Sequence, residues 1–249
     1  MVTRIIAGAG FAVAWSLFCA FLADYELKKM FKKMKADTKD TEESSENSDD
    51  SESVDSANAE LVDKSFTNKQ KYIFGAVITV LNIMLSVVLM FVYKETPIIE
   101  FIMRLGLVGI VEVAAITDKK YNLIPNDLIK VGLVLRAIAL IGEISVFKSD
   151  VVSILISDAV GILTVVVIVL LCLLFMKGSV GMGDLKLMML MALFQGIDGF
   201  TASGMLSLMV AFFAGVYYLV SKKKSRKDAM AFAPFLAVGT YLGIFLTGL

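Results

Sequence analysis

The chain alternates long apolar runs with short polar segments, and the length of these runs predicts the architecture. The runs are residues 5–23, 72–93, 99–117, 127–147, 152–176, 183–199, 202–220 and 229–247. A helix of about 20 apolar residues has the length needed to cross the hydrocarbon core of a bilayer. The pattern therefore predicts an all-α, polytopic membrane protein with about eight transmembrane helices.

Composition supports this prediction, because 57% of the residues are hydrophobic and the mean hydropathy is +0.78. The first run resembles a secretory signal peptide in position, but only Arg4 precedes it and no small-residue cleavage site follows. We interpret it as a retained helix. Cys19 and Cys172 both fall inside predicted spans, so the sequence predicts neither a disulfide framework nor a CxxC metal site.

Basic residues are distributed unequally between the two sides of the predicted helices. Most of the 24 Lys and Arg residues lie in loops on one side, chiefly in segments 24–71, 118–130 and 222–227. Because basic loops stay in the cytoplasm, this distribution predicts that these loops are cytoplasmic and that both termini are outside. The predicted location is the plasma membrane.

The segment between the first two spans has two parts of opposite charge. Residues 25–39 are basic and are expected to lie against anionic lipid headgroups as a collar. Residues 40–63 contain acidic residues and many serines but no Lys or Arg, which predicts a disordered spacer, with a docking tail for a basic partner as the alternative. The predicted organisation is an N-terminal transmembrane helix (1–24), this cytoplasmic segment (25–71) and a transmembrane domain (72–249).

Two aspartates occur where predicted spans meet the cytoplasmic side. Asp118 follows the third span and Asp184 begins the sixth. A single acid at a helix end commonly only contacts water, but two at the same depth can share one proton, so that one acts as a general base on water and the other as an acid. The chain has no His, which excludes Ser–His and His–metal catalysis, and acid–base chemistry of this kind needs no metal or cofactor.

Glycine and proline residues surround both aspartates. Gly181 and Gly183 flank the second aspartate, where they allow sharp turns and a close approach of another helix. Pro125 is expected to shape the preceding loop and to start the fourth helix, with Asn126 or Asp127 as the cap.

Three motifs together carry a family resemblance. They are TDKKYNLIPN (117–126), GMGDLKL (181–187) and MAFAPFLAVGT (230–240). In sequence and order they resemble the type IV prepilin peptidases, the GxGD class of intramembrane aspartic proteases, over residues 72–249. The resemblance implies that Asp118 and Asp184 are the catalytic dyad, and that the substrates are prepilins or pseudopilins of a prokaryote, cleaved after Gly at the cytoplasmic membrane face.

Two further residues belong to these motifs. Lys186 either biases the protonation of the dyad or is an interfacial lysine whose amine reaches water. Pro234 is expected to kink the last helix and so to help form a substrate groove.

The sequence also departs from the family. Bifunctional members carry paired CxxC zinc motifs after the first helix for methylation of the product, whereas residues 40–63 contain no cysteine. The sequence therefore predicts a peptidase without methyltransferase activity, whose partners are a prepilin and membrane lipid but no nucleic acid. Two alternatives stay open: an ion-coupled transporter that uses the two aspartates, and a non-catalytic membrane component of pilus assembly.

Four charged residues lie inside the third and fourth predicted spans. If these spans are antiparallel neighbours, Arg104 lies at the depth of Glu143, and Glu112 lies at the depth of Arg136. The sequence therefore predicts two ion pairs that lower the cost of placing charges in lipid, the alternative being that each charge reaches water separately.

Overall fold

The computed structural model describes residues 2–45, 68–92, 97–146, 151–175, 181–221 and 231–247. Within these ranges the chain forms seven α-helices and no β-strand, which confirms the all-α prediction. The helices are α1 (Val2–Ser45), α2 (Asn68–Val92), α3 (Ile98–Tyr121), α4 (Asn126–Val146), α5 (Val151–Phe175), α6 (Met182–Val220) and α7 (Ala233–Thr247).

Helix α6 contains both the sixth and the seventh predicted spans, so eight separate transmembrane helices are not confirmed. Its backbone leaves the helical conformation at Gly196, where φ is 63° and ψ is −168°. The side chain of Ser157 on α5 braces this break, because its Oγ accepts a hydrogen bond of 3.3 Å from the backbone N–H of Ile197. A Cβ at position 196 would lie 2.5 Å from the same oxygen, which explains why glycine occupies the break.

Two helical stretches of the described residues are long and apolar enough to cross a membrane, Gly10–Lys33 and Met182–Val220. The second of these contains the break at Gly196. Three more apolar helical stretches are shorter: Gly75–Leu89, Leu155–Ile168 and Ala233–Thr247. Length and composition thus identify two candidate spans among the described residues.

Helix α1 extends well beyond its apolar part. It continues to Ser45 and so includes the first residues of the acidic segment 40–63, while residues 46–63 lie outside the described residues. Within the basic collar, Lys29 forms an ion pair with Asp127 in the first turn of α4. The collar therefore contacts the protein itself at this point.

Helix α3 lies at the centre of the bundle and packs against α1, α2, α4, α6 and α7. Its buried side chains form the main core together with those of the neighbouring helices. The fully buried side chains of this core include Leu107, Ile110, Val111, Leu128, Leu187, Leu190, Met191 and Leu236. Asp118, in the last turn of α3, therefore belongs to a helix that five others surround.

Helices α6 and α7 pack closely against each other, and small residues make this possible. Gly239 and Gly243 of α7 lie against Ser207 and Ser203 of α6. A Cβ at position 239 would lie 2.5 Å from the backbone nitrogen of Ser207 and 2.6 Å from the carbonyl oxygen of Ser203. Small residues spaced four apart on both helices allow this approach of the backbones.

The buried charges pair differently from the sequence prediction. Arg136 binds Glu143 of its own helix at 2.8 Å and Asp158 of α5 at 2.6 Å. Arg104 forms an ion pair of 3.0 Å with Glu100, one turn earlier on α3. The predicted pairs are therefore wrong, because equal depth does not specify which way a side chain faces around its helix.

Glu112, the fourth of these charges, is bonded by neutral groups. The side-chain amide of Asn82 on α2 donates to its Oε2 at 3.0 Å, and the hydroxyl of Tyr241 on α7 donates to its Oε1. A buried carboxylate needs such donors, since an unpaired one is costly. Glu112 thus connects three helices.

The bundle exposes large apolar side chains and buries several charged ones within its apolar core. The exposed apolar side chains include Phe21, Ile138, Leu163, Phe212 and Val220. Glu112, Asp118, Arg136 and Glu143 are buried inside. Water-soluble proteins rarely combine these two features, because they seldom bury charged residues and rarely expose large apolar patches.

Replacing Gly239 by Ala tests the close approach of α6 and α7. We expect a loss of about 1–3 kcal/mol in the free energy of unfolding, because the new methyl group would overlap backbone atoms of α6. Chemical unfolding of the purified variant measures this loss. Gly10→Ala is the matched control, since a Cβ there meets no atom within 4 Å, and equal stability of the two variants would contradict the packing described.

Replacing Arg136 by Leu tests the observed ion pairs. We expect a loss of about 3–5 kcal/mol in stability, because Glu143 and Asp158 would remain buried without their cation. Lys130→Leu removes an exposed cation from the same helix and should cost less than about 1 kcal/mol. The assignment fails if the two variants unfold alike, and it gains support if also replacing both acids by Leu restores stability.

Candidate active site

Asp118 lies in the last turn of α3 and is buried, with 6% of its surface exposed. Its Oδ2 accepts a hydrogen bond of 3.0 Å from the backbone N–H of Ala233, and the N–H of Phe232 also bonds to the carboxylate. Since α7 begins at Ala233, the carboxylate occupies the N-terminal end of that helix. The first N–H groups of a helix have no partner within the helix and favour a negative charge.

The local sequence ends α3 directly after this aspartate. Asn122 adopts a left-handed conformation (φ 49°, ψ 39°), and its N–H donates to the carbonyl of Asp118 at 2.8 Å. Asparagine tolerates this conformation and is a common end of a helix. Pro125 is buried and directly precedes α4, which begins at Asn126. Asn126 and Asp127 therefore lie in the first turn of α4, and neither is the cap that the sequence predicted.

Asp184 lies in the first turn of α6. Gly181 precedes the helix in an extended conformation, and its backbone N–H bonds to the carboxylate of Asp184. An acid at the third helical position that reaches back to the residue before the helix is a capping arrangement. A Cβ at position 181 would lie 3.0 Å from Oδ2 of Asp184, so a larger residue would displace the carboxylate.

The second oxygen of Asp184 is in a different situation. Its Oδ1 is buried, and among the described residues it has no hydrogen-bond partner. Such oxygens are uncommon in folded proteins, because the loss of hydration is not compensated. Asp184 therefore has one oxygen close to Gly181, the residue before the helix. Its other oxygen can bind a proton or accept a hydrogen bond.

The fold brings the two aspartates together from distant parts of the sequence. Their carboxylates are close enough for Asp118 to act electrostatically on Asp184. The contact of Gly183 with Ile124 contributes to this approach, because a Cβ at position 183 would lie 3.0 Å from Cβ of Ile124. The start of α6 thus lies directly against the loop that follows Asp118.

Two effects of opposite sign act on Asp118, the first residue beyond the predicted span 99–117. Burial raises the pKa of its carboxyl above the ordinary value, and the bonds from the N–H groups of Ala233 and Phe232 lower it. Burial is the larger effect, so the pKa is raised overall. The N–H groups of α7 nevertheless favour the ionised form.

Lys186 connects two of the motifs without touching the aspartates. Its Nζ donates to Oδ1 of Asn126 at 2.7 Å, and both residues are exposed. In the described part of the chain it forms no hydrogen bond or ion pair with Asp118 or Asp184. Its position links the first turn of α6 to the first residue of α4.

The expectation that Pro234 kinks the last helix is wrong. Helix α7 begins at Ala233, so Pro234 lies in its first turn. Proline is tolerated there because the N–H that it lacks would have no partner within the helix. The sequence analysis therefore did not predict that the N–H groups of Phe232 and Ala233 donate hydrogen bonds to Asp118. Pro234 was the available signal, because a proline is common in the first turn of a helix.

Two aspartates from different helices, Asp118 of α3 and Asp184 of α6, thus lie near each other in an all-helical bundle. Residues 105–220 match the model of the type IV leader peptidase family, and this stretch contains both Asp118 and Asp184. Over this stretch the chain is similar to that family of peptidases, which confirms the resemblance carried by the motifs. Comparisons with curated proteins and with solved structures give no match.

Replacing Gly183 by Ala tests the contact that brings α6 to the loop after Asp118. The new methyl group would press on the Cβ of Ile124, which moves only with its backbone, so we expect a loss of about 1–3 kcal/mol in stability. Unfolding of the purified variant provides the measurement. Gly75→Ala is the control, because its Cβ would meet Ala20 at an ordinary 3.9 Å, and a Gly183→Ala variant as stable as this control would contradict the contact.

Proposed function

We propose that this protein is an intramembrane aspartic endopeptidase that removes the leader peptide of type IV prepilins or pseudopilins, with Asp118 and Asp184 as its catalytic dyad. The observation that carries the proposal is the convergence of these two carboxylates inside the region that matches the leader peptidase family. Their unlike surroundings support different roles for them, since one accepts two backbone hydrogen bonds and the other has a buried oxygen without a partner.

In this mechanism Asp118 is ionised and Asp184 carries the shared proton. The N–H groups at the start of α7 favour the charge on Asp118, and a proton on Asp184 gives its unpartnered oxygen a hydrogen bond to donate. Two carboxylates that interact in this way do not readily ionise together. Asp118 is then the general base and Asp184 the general acid.

The reaction follows from these protonation states. Asp118 removes a proton from a water molecule as its oxygen attacks the scissile carbonyl, and Asp184 donates a hydrogen bond to the developing oxyanion. Collapse of the tetrahedral intermediate breaks the C–N bond, and a proton passes to the leaving amine. The products are the free carboxylate of the leader and the free amine of the mature protein.

The distribution of side chains supports a multi-pass placement in the membrane. Exposed apolar residues would face lipid, and the buried charges would lie among the helices. The basic loops support a position of the dyad at the cytoplasmic face, with both termini outside. A prepilin whose leader stays in the cytoplasm and ends just before an apolar helix would present its cleavage site at this depth.

The close contacts of the glycines beside Asp184 support glycine on the leader side of the cleaved bond. Gly181 and Gly183 bring the backbone close to Asp184 and to Ile124, so little room remains for a bulky side chain beside the dyad. The proposed activity stops at cleavage, since the two cysteines of the chain, Cys19 and Cys172, do not form the paired CxxC motifs of the methylating members.

Asparagine replacement of each aspartate tests the proposal. Co-expression with a candidate prepilin, followed by mass spectrometry of the pilin, should give the shortened product with the unaltered protein and none with Asp118→Asn or Asp184→Asn. Asn keeps the size of Asp but neither acts as a base nor shares the proton, so a loss of at least about 10³-fold is expected.

Asp198→Asn is the matched control, because Asp198 lies on α6 beyond the break at Gly196 and is exposed. It should cleave normally. Cleavage by both dyad variants would refute the catalytic assignment, and ion flux without any cleaved product would favour a transporter. A folded protein that assembles pili but never cleaves would favour the non-catalytic alternative.

A further inference from the structure

A second polar contact joins the same two helices that meet at Asp118. The hydroxyl of Tyr241 on α7 donates to Oε1 of Glu112 on α3, well inside the bundle. Glu112 is 6% exposed, and its other oxygen accepts from Asn82, which is fully buried. The amide of Asn82 therefore orients the carboxylate so that one oxygen faces α7. The dyad chemistry uses none of these three residues.

A single position of α7 along α3 allows both contacts between these helices to form. From Glu112 to Asp118 the chain rises about 9 Å along α3, and from Ala233 to Tyr241 it rises about 12 Å along α7. Because the helices run in opposite directions, Tyr241 reaches Glu112 at the position of α7 that brings Ala233 to Asp118. A slip of α7 by one turn, about 5.4 Å, would break both contacts.

The other face of α7 cannot set this register alone. Gly239 and Gly243 pack on the part of α6 that follows the break at Gly196, so they fix α7 relative to that segment. Asp184 lies on the part of α6 that precedes the break. A direct polar link between α7 and α3 therefore adds to the packing of these two helices in holding α7 in place relative to Asp118.

We propose that Glu112 and Tyr241 are positioning residues, whose hydrogen bond sets how far α7 lies along α3 and so holds the N–H groups of Phe232 and Ala233 against the carboxylate of Asp118. In this role Glu112 and Tyr241 fix the geometry of the dyad without contacting either aspartate. The effect of the Glu112–Tyr241 bond on prepilin cleavage rests on the proposed function. Its effect on the position of α7 along α3 does not.

Two measurements test the positioning role in the full-length protein. The first is hydrogen exchange of the peptide that contains residues 231–234, where Pro234 has no N–H and the amides of Phe232 and Ala233 are held by Asp118. The second is the pH profile of kcat/KM for prepilin cleavage, whose acidic limb reports ionisation of the general base.

The expected shift follows from the bonds that α7 gives to Asp118. If the N–H groups withdraw, the pKa of Asp118 rises, so a higher pH is needed to ionise the base and the acidic limb moves up by about 0.5 pH unit. No charged residue lies in α7. Other charged groups at this end of the bundle include Lys119 and Lys120 of α3 itself, Asp24, Glu26, Lys28 and Lys29 of α1, Asp127 of α4, and Asp184 and Lys186 of α6.

Tyr241→Phe keeps the ring and removes only the hydroxyl, and Glu112→Leu removes the acceptor. Both should speed exchange at residues 232 and 233 and shift the acidic limb upward. Glu112→Gln keeps an acceptor for Tyr241 and should behave like the unaltered protein in both measurements. Tyr217→Phe, on an exposed site of α6, is the matched control.

The proposal is overturned if Tyr241→Phe changes neither the exchange nor the pH profile, or if Glu112→Gln is as damaging as Glu112→Leu. A variant that only lowers the amount of active protein reduces the rate equally at every pH and would indicate a purely structural role. If the unaltered protein cleaves no prepilin, the proposed function fails, and the exchange measurement still decides whether Glu112 and Tyr241 position α7.

Discussion

The bond between the carboxylate of Asp118 and the N-terminus of α7 is the constraint from which much of the remaining structure follows. A carboxylate buried at the end of α3 needs donors, and a helix that starts beside it supplies N–H groups with no other partner. This requirement places the first residue of α7 at the depth of the last turn of α3. An antiparallel α7 then brings Tyr241 to Glu112.

Polar contacts of this kind also explain what holds the helices to one another. In the proposed membrane placement the hydrophobic effect would not drive one helix against the next, so close packing and hydrogen bonds would have to do so. Glu112 joins α2, α3 and α7, Arg136 joins α4 to α5, and small residues join α6 to α7. Glu112, Asp118, Arg136, Glu143 and Asp158 therefore have partners on other helices or two turns away on their own, which lowers the cost of their burial.

The sequence predicted those features that depend on length and on depth. Apolar runs located the helices, and the alternation of sides placed Asp118 and Asp184 at the same end of the bundle. Features that depend on rotation about a helix axis were not predictable in this way. Arg136 and Glu112 have nearly equal depth, yet Arg136 faces Asp158 and Glu112 faces Asn82. A single sequence does not show how each helix is rotated about its axis relative to its neighbours.

Local backbone hydrogen bonds determine where α7 begins relative to Pro234 and how far α6 continues. The pattern of apolar residues does not predict these bonds. An apolar run marks where a helix passes through the core and says little about where its first hydrogen bond forms. Helix α7 begins several residues after its run because Asp118 receives the N–H groups of Phe232 and Ala233. Helix α6 continues past its expected end because only Gly196 departs from helical geometry.

A capping role alone does not account for Asp184. An acid at the third helical position that reaches back to Gly181 is a common way to start a helix, and Asn or Ser before the helix would serve the same end. A cap does not require the second oxygen to be buried without a partner beside another carboxylate. That arrangement costs stability unless a proton is held between the two groups. The cost is understandable where the shared proton is needed for chemistry, and this is why the surroundings of Asp184 favour a catalytic dyad over two separate helix-end acids.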